Sequence, residues 1–185
     1  MEQKEEKIGG ELLSEELKRA NISLTLDSYN DIFSDFDPRS FSERALSDDF
    51  LLECKRAARD KETGVELILS VPRSRRNLND EFRIKKRLKD HFHKHIQEKE
   101  KEIKKLKREG FIWAFVGLSV LAGILYGLIY LTNENLIAFL TMLELPCWFL
   151  TWEGLGKIFL ESRKYEPDYV FYKKMANAEV IFRSY

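Results

Sequence analysis

The sequence predicts a membrane protein of the α+β class. It comprises a small cytoplasmic α+β head, a long helix that continues into a two-helix transmembrane hairpin, and a C-terminal segment that returns to the head. Three observations carry this reading. Phe111–Leu131 is an uncharged apolar run of 21 residues, which at 1.5 Å per residue covers the roughly 30 Å hydrocarbon layer. The formal net charge of zero, from 31 basic and 31 acidic residues, conceals three unlike blocks. Residues 1–71 carry 10 bases and 17 acids, 72–110 carry 15 and 7, and 111–185 carry 6 and 7, for net charges of −7, +8 and −1. Such a profile describes an acidic head, a basic neck and an apolar tail that meet different surroundings. Finally, two short stretches near Ile22 and Val71 alternate with the period of a half-buried strand.

Residues 1–20 are charged and include Gly9 and Gly10, and GELLSEELKRA can form a short helix. Because MEQKEEKIGG lacks an apolar core, no cleavable signal is expected. The folded head, 21–78, begins with Ile22, Leu24 and Leu26 alternating with Ser23 and Thr25. Asp27 or Ser28 can cap a turn in which Tyr29, Ile32, Phe33 and Phe36 share a face, ended by Asp37-Pro38. Ser47 is placed to cap a helix over DDFLLECKRAARD, with Asp48 and Asp49 at its positive end. Val65, Leu67, Leu69 and Val71 then alternate with Glu66, Ile68 and Ser70, a second strand with one buried face. Asp27, Asp31, Asp35, Asp37, Asp48 and Asp49 cluster without the spacing of a calcium loop, so caps and solvated faces account for most of them.

The basic juxtamembrane helix, 79–110, contains no helix breaker, and Phe82, Leu88, Phe92, Ile96, Ile103 and Leu106 form a sparse apolar stripe. Lys99 falls where a coiled coil wants another apolar residue. Its charge suits a bilayer with anionic headgroups, with Lys104, Lys105, Lys107 and Arg108 as the headgroup contacts. Nucleic acid is the rival partner, but acids are interspersed and no nucleic-acid motif surrounds the bases. His91 and His95 share a helix face with Glu98 one turn on, a chemically possible metal set or pH-sensitive patch, while exposed helix histidines are the plainer reading.

The first span, 111–131, leads through an external loop, 132–135, into a second apolar segment, 136–160, interrupted by Glu144 and Pro146. Eight Leu, Ile and Phe side chains at about −0.5 kcal/mol each are set against about +3 kcal/mol for one central acid, so insertion leans on the first helix. Bases flank both outer ends and none lies in the loop, which places both termini in the cytoplasm. Trp113, Trp148 and Trp152 are the interface anchors. Ser119, Gly123 and Gly127 recur every four residues and are read as a helix-packing groove, within the hairpin or between subunits. Thr141, Glu144, Trp148 and Thr151 fall on one face. An acid at that depth needs a polar partner, such as a carbonyl or the Tyr126 hydroxyl; it either lines an ion pathway or makes one satisfied hydrogen bond beside a proline kink. Residues 161–185 form the cytoplasmic C-terminal segment, in which EVIFRSY can add a last strand.

No cofactor is called for and no catalytic residue can be named. HExxH, GxSxG and dinucleotide patterns are missing, and Gly154-Leu155-Gly156-Lys157 lacks the spacing of a phosphate loop. Cys54 and Cys147 read as reduced thiols. The expectation is a non-enzymatic two-pass membrane protein forming a homo-oligomeric sensing or scaffolding assembly. A channel or transporter subunit using Glu144 is the first alternative, and a membrane-tethered enzyme or metal-binding domain using the head aspartates the second.

Overall fold

The computed structural model describes residues 21–59 and 66–185, so the expected short helix at 10–20, Asp60 at the end of the DDFLLECKRAARD helix and the strand position Val65 lie outside the described residues. The fold is mostly helical with one small sheet. Its described residues divide into two compact units, one made of those up to Ile96 together with Val170–Tyr185, the other of Gln97–Tyr169.

The first unit is built on three parallel strands in the order β1-β2-β3, where β1 is Ile22–Thr25, β2 Glu66–Val71 and β3 Glu179–Ser184. β3 is the strand expected at the C terminus, and it pairs with β2 from Glu66↔Glu179 to Val71↔Ser184. Parallel strands need long crossovers, and here they are helical, which is the α/β form of such a layer. β1 alternates as expected, with Ile22 buried and Ser23 and Thr25 exposed. β2 does not: Ile68 is buried along with Leu67, Leu69 and Val71. It is the central strand, and a central parallel strand reads as a continuous apolar run.

Ser28, not Asp27, caps the turn Tyr29–Ile32, and Asp31 closes a capping box by accepting from the Ser28 backbone N–H at 3.0 Å. The turn ends at Ile32, and Phe33 bridges to Leu46, so Phe36 leaves the apolar face and is 98% exposed. Helix α1, Asp48–Ala58, buries Phe50, Cys54 and Ala58 at four-residue spacing. Its Ser47 sits at the cap position without a side-chain bond, leaving Asp48 and Asp49 to face the helix N-terminus.

Helix α2, Leu78–Tyr130, is the long helix foreseen from Asn79 to Leu131. Within the first unit its core face is Ile84, Leu88 and Phe92, packed with Phe171, Met175 and Ala176 of helix α4, Ser162–Asn177. The expected stripe is corrected at Phe82, which is 71% exposed, because its register lies off the 84, 88, 92 line. Helix α4 itself was not anticipated. Pro167 stands inside it and reads in sequence as a stop.

In the second unit α2 folds back on helix α3, Glu134–Gly156, after Leu131–Asn133; Asn133 caps α3 by accepting from the N–H groups of Asn135 and Leu136. The connection thus begins one residue and ends two residues earlier than expected, and the second apolar helix passes through a π turn, Lys157–Glu161, directly into α4. Helices α2 and α3 are both long and apolar enough to cross a membrane.

Close approach of the two helices depends on small residues. A Cβ added to Gly110 would lie 2.6 Å from the Gly154 carbonyl oxygen, and one on Gly127 would lie 2.8 Å from Leu140 Cδ1. A Cβ on Gly117 would strike Thr151. The buried face is therefore Gly110, Ala114, Gly117, Ile124 and Gly127, spaced by threes and fours with one step of seven. Of the expected groove Ser119, Gly123 and Gly127, only Gly127 packs within the hairpin. Ser119 is exposed and Gly123 has open space beside it. A strict four-residue repeat drifts around a helix of 3.6 residues per turn, whereas alternating threes and fours keep one seam.

Candidate functional site

The polar residues of the apolar hairpin do not converge. Thr151 is buried because Gly117 leaves it room, and its hydroxyl donates to the Cys147 carbonyl at 2.9 Å. The Thr141 hydroxyl donates in the same way to Ile137 at 2.9 Å. Both are therefore satisfied within their own helix. Glu144 is exposed and has no hydrogen bond or ion pair among the described residues. Tyr126, its expected partner, is 66% exposed and lies tilted against Tyr130 with centroids 4.6 Å apart. The tryptophans lie outward: Trp148 and Trp152 are 55% and 74% exposed, and Lys157 Nζ stands 5.2 Å from the Trp113 ring centre.

Below the apolar stretch α2 becomes charged, and its bases sort onto two surfaces. A cleft of about 750 Å³ opens between α2 and the π turn with the start of α4, lined by Ile103, Lys104, Lys107, Ile158, Phe159, Ser162, Arg163, Tyr169 and the acids Glu100 and Glu166. A separate groove of about 340 Å³ is lined by Lys101, Lys104, Lys105 and Arg108. The four expected headgroup bases thus split: Lys107 faces the cleft, Lys105 and Arg108 the groove, and Lys104 borders both. Lys104 pairs with Glu100 at 2.6 Å, which holds the carboxyl below and the ammonium above their ordinary pKa ranges. Lys105 reaches Glu109 only at 4.0 Å. Lys107 and Arg163 have no ion pair among the described residues. Lys99, at the seam position where an apolar residue was wanted, bonds Glu102 at 2.9 Å and lies 5.4 Å from the Tyr165 ring centre, so its stem packs while its charge is satisfied.

In the first unit one buried polar network stands out. The Glu81 carboxylate accepts from the Tyr29 hydroxyl at 2.9 Å and from both Nε and Nη2 of Arg76 at 2.8 and 3.0 Å, while the Tyr29 oxygen accepts from the Asn77 N–H at 2.9 Å. The Arg76 bond lowers the Glu81 pKa, and burial raises that of Tyr29. Each member is satisfied, so the network fixes the start of α2 against the turn after β1.

The His91 and His95 rings lie against each other at a tilt of 55° with centroids 4.3 Å apart, and His95 stacks on Tyr172 at 5.1 Å. Burial first, and then the neighbouring His95 charge, pull His91 down to about 4. Its Nε2 is buried without a hydrogen bond among the described residues. No group of three His, Cys, Asp or Glu side chains among the described residues is arranged to hold a metal ion, so His91, His95 and Glu98 do not form the donor set that their spacing allowed. The aspartates are largely engaged: Asp31 in its capping box, Asp37 with Arg39 at 2.7 Å and the Ala45 N–H at 2.7 Å, and Asp35 near Arg44 at 3.8 Å. Both cysteines are buried free thiols, and burial pushes Cys54 up to about 12, which makes it a poor nucleophile.

Compared with known proteins, the chain matches no family model, no curated protein and no solved structure. The cleft residues Ser162, Glu166 and Tyr169 carry no signal in the sequence alone, where Arg163 counts only as a base flanking the second span, because α4 is not evident there. Once α4 is in place, Ser162, Glu166 and Tyr169 fall at four- and three-residue spacing on one helix face, with Arg163 next to Ser162 at its edge.

Proposed function

We propose that this chain is a two-pass integral membrane protein with both termini cytoplasmic, whose head and helices build a homo-oligomeric sensing or scaffolding assembly. The observation that carries the proposal is the hairpin with its inside-out burial. Its seam is closed by glycines, while large apolar side chains such as Phe115, Leu125, Ile129, Phe139, Leu145 and Phe149 stand outward at 57–78% exposure. Water would penalise that surface by roughly 25 cal/mol per Å², and lipid would not. Topology supports the shared side of the termini. The hairpin lies between β2 and β3, which pair with each other, so the excursion leaves one sheet and returns to it. The flanking bases fit the same orientation. Homo-oligomerisation is supported by Ser119 and Gly123, which are exposed on the outer surface of the helix, and by Glu144, which a neighbouring subunit could satisfy. The test is the mass of the full chain in nanodiscs after recovery from the carbonate-resistant membrane fraction. A multiple of 21.9 kDa is expected, and a strict monomer contradicts the assembly.

The exposed, unpaired Glu144 favours one second reading, an oligomeric channel or transporter subunit that lines its path with this acid. Reconstituted ion or proton flux that Glu144→Gln abolishes would support it, and flux unaffected by that change would end it.

A further inference from the structure

We propose that the cleft between α2 and the π turn binds the headgroup of an anionic phospholipid carrying hydroxyl groups, with its phosphate held between Lys107 and Arg163. The inference rests on the membrane reading and deepens it. Lys107 comes from α2 and Arg163 from α4, and both line one concavity of about 750 Å³. Neither has a carboxylate within ion-pair distance among the described residues, whereas Lys104 in the same cleft is taken by Glu100 at 2.6 Å. Two like charges brought to one concavity repel unless an anion lies between them. A phosphate answers that need, because a guanidinium fork takes two of its oxygens and an ammonium adds a point charge.

Depth identifies the anion as a lipid. Lys107 lies four residues before Phe111, about 6 Å by helical rise, and the headgroup layer is roughly 5–8 Å thick on each side of the hydrocarbon. The cleft also contains Phe159, 58% exposed, with Leu160 beside it 66% exposed, an apolar rim suited to the first carbons of acyl chains and useless to a free phosphate. Glu166 stands exposed at the cleft without an ion pair among the described residues, and its carboxylate would repel a bare phosphate but accept from a headgroup hydroxyl.

The backbone is adapted at the same place. The Ser162 N–H reaches back to the Lys157 carbonyl, the five-residue step of a π turn. Inserting one residue rotates everything after it by about 100°, which sets which face of α4, Arg163 included, meets the cleft. Single π turns recur at binding sites because they re-aim side chains without breaking a helix.

The experiment uses the full chain in nonionic detergent, with thermal unfolding followed on addition of phosphatidylglycerol, phosphatidylcholine, glycerol 3-phosphate or inorganic phosphate. Phosphatidylglycerol is expected to raise Tm by about 5 °C over phosphatidylcholine. The double variant Lys107→Gln/Arg163→Gln is expected to lose most of that increment, while Lys101→Gln/Lys105→Gln, which removes equal charge from the other groove, keeps it. Native mass spectrometry of the unaltered chain should show one phosphatidylglycerol retained per subunit in preference to phosphatidylcholine. Equal loss in the two double variants, or equal retention of the two lipids, would overturn the cleft as a site. Equal stabilisation by glycerol 3-phosphate or inorganic phosphate would overturn its assignment to lipid. Failure of the membrane reading registers separately, as protein released by alkaline carbonate. A chain that stays in the membrane yet does not distinguish the two lipids contradicts the cleft alone.

Discussion

Gly117 and Thr151 bring α2 and α3 into direct contact: a methyl group on Gly117 would strike the Thr151 hydroxyl and come within 2.8 Å of the Cys147 carbonyl oxygen. Backbone on both sides leaves nothing flexible to yield. Gly117→Leu is therefore expected to destabilise the hairpin by about 3 kcal/mol, while Gly123→Ala, with nothing within 4 Å, is expected to be silent. Thermal unfolding of both variants in detergent checks the contrast. Equal behaviour would mean that the seam has been misplaced.

The Tyr29–Glu81–Arg76 network supports a second prediction. Tyr29 and Glu81 are buried, whereas the Arg76 side chain keeps 28% exposure, so Tyr29→Phe and Glu81→Leu should each cost about 1–2 kcal/mol. Chemical denaturation measures both. Because the Glu81 pKa is lowered on folding, its stabilisation is present above the ordinary carboxylate range and is lost as pH falls through the folded value.

A third concerns His91. Its folded pKa, about 4, lies below the ordinary 6.5, so protonation favours the unfolded chain. Stability should be full above about pH 6.5 and decline as pH falls towards 4. The ring is only partly buried, so solvent discounts the linkage, and a loss of about 1 kcal/mol is expected. His95 lies tilted against the ring, and the charges of Arg87 and Lys94 add to the same shift. His91→Leu should flatten the pH 4–6.5 limb of a Tm-against-pH curve, and an unchanged limb would refute the assignment.

Glu144 supplies a fourth. If a neighbouring subunit satisfies this carboxyl, Glu144→Leu should shift the nanodisc population towards monomer without lowering the head's own unfolding temperature. An unchanged oligomer distribution would show that the acid plays no part in assembly.

Much of this architecture was legible in the residues. The uncharged run from Phe111 fixes one helix, and the alternations at Ile22–Leu26 and Leu67–Val71 mark two strands that the fold contains. Three features were not legible, each for a physical reason. Helix α4 is polar and carries Pro167, so local pattern argued for a stop, and packing of Phe171, Met175 and Ala176 on α2 overrode it. The seam at Gly110, Ala114 and Gly117 was hidden by the more regular Ser119, Gly123, Gly127 repeat, because a sequence shows small residues but not which side the partner helix takes. The cleft needed both α4 and the π turn, and no local pattern announces a π turn. In sequence Lys107 is one of the headgroup bases and Arg163 a base flanking the second span; only the fold brings them to one cleft.

The central proposal is a hairpin of α2 and α3 that crosses a bilayer with both termini on one side. Single cysteines test it most directly: on a Cys54→Ser/Cys147→Ala background, Asn133→Cys at the tip and Lys101→Cys on the charged part of α2 are probed in intact cells with a membrane-impermeant maleimide. Labelling of the tip site without permeabilisation, and of the α2 site only after it, is expected. Labelling of both sites from the same side would contradict it.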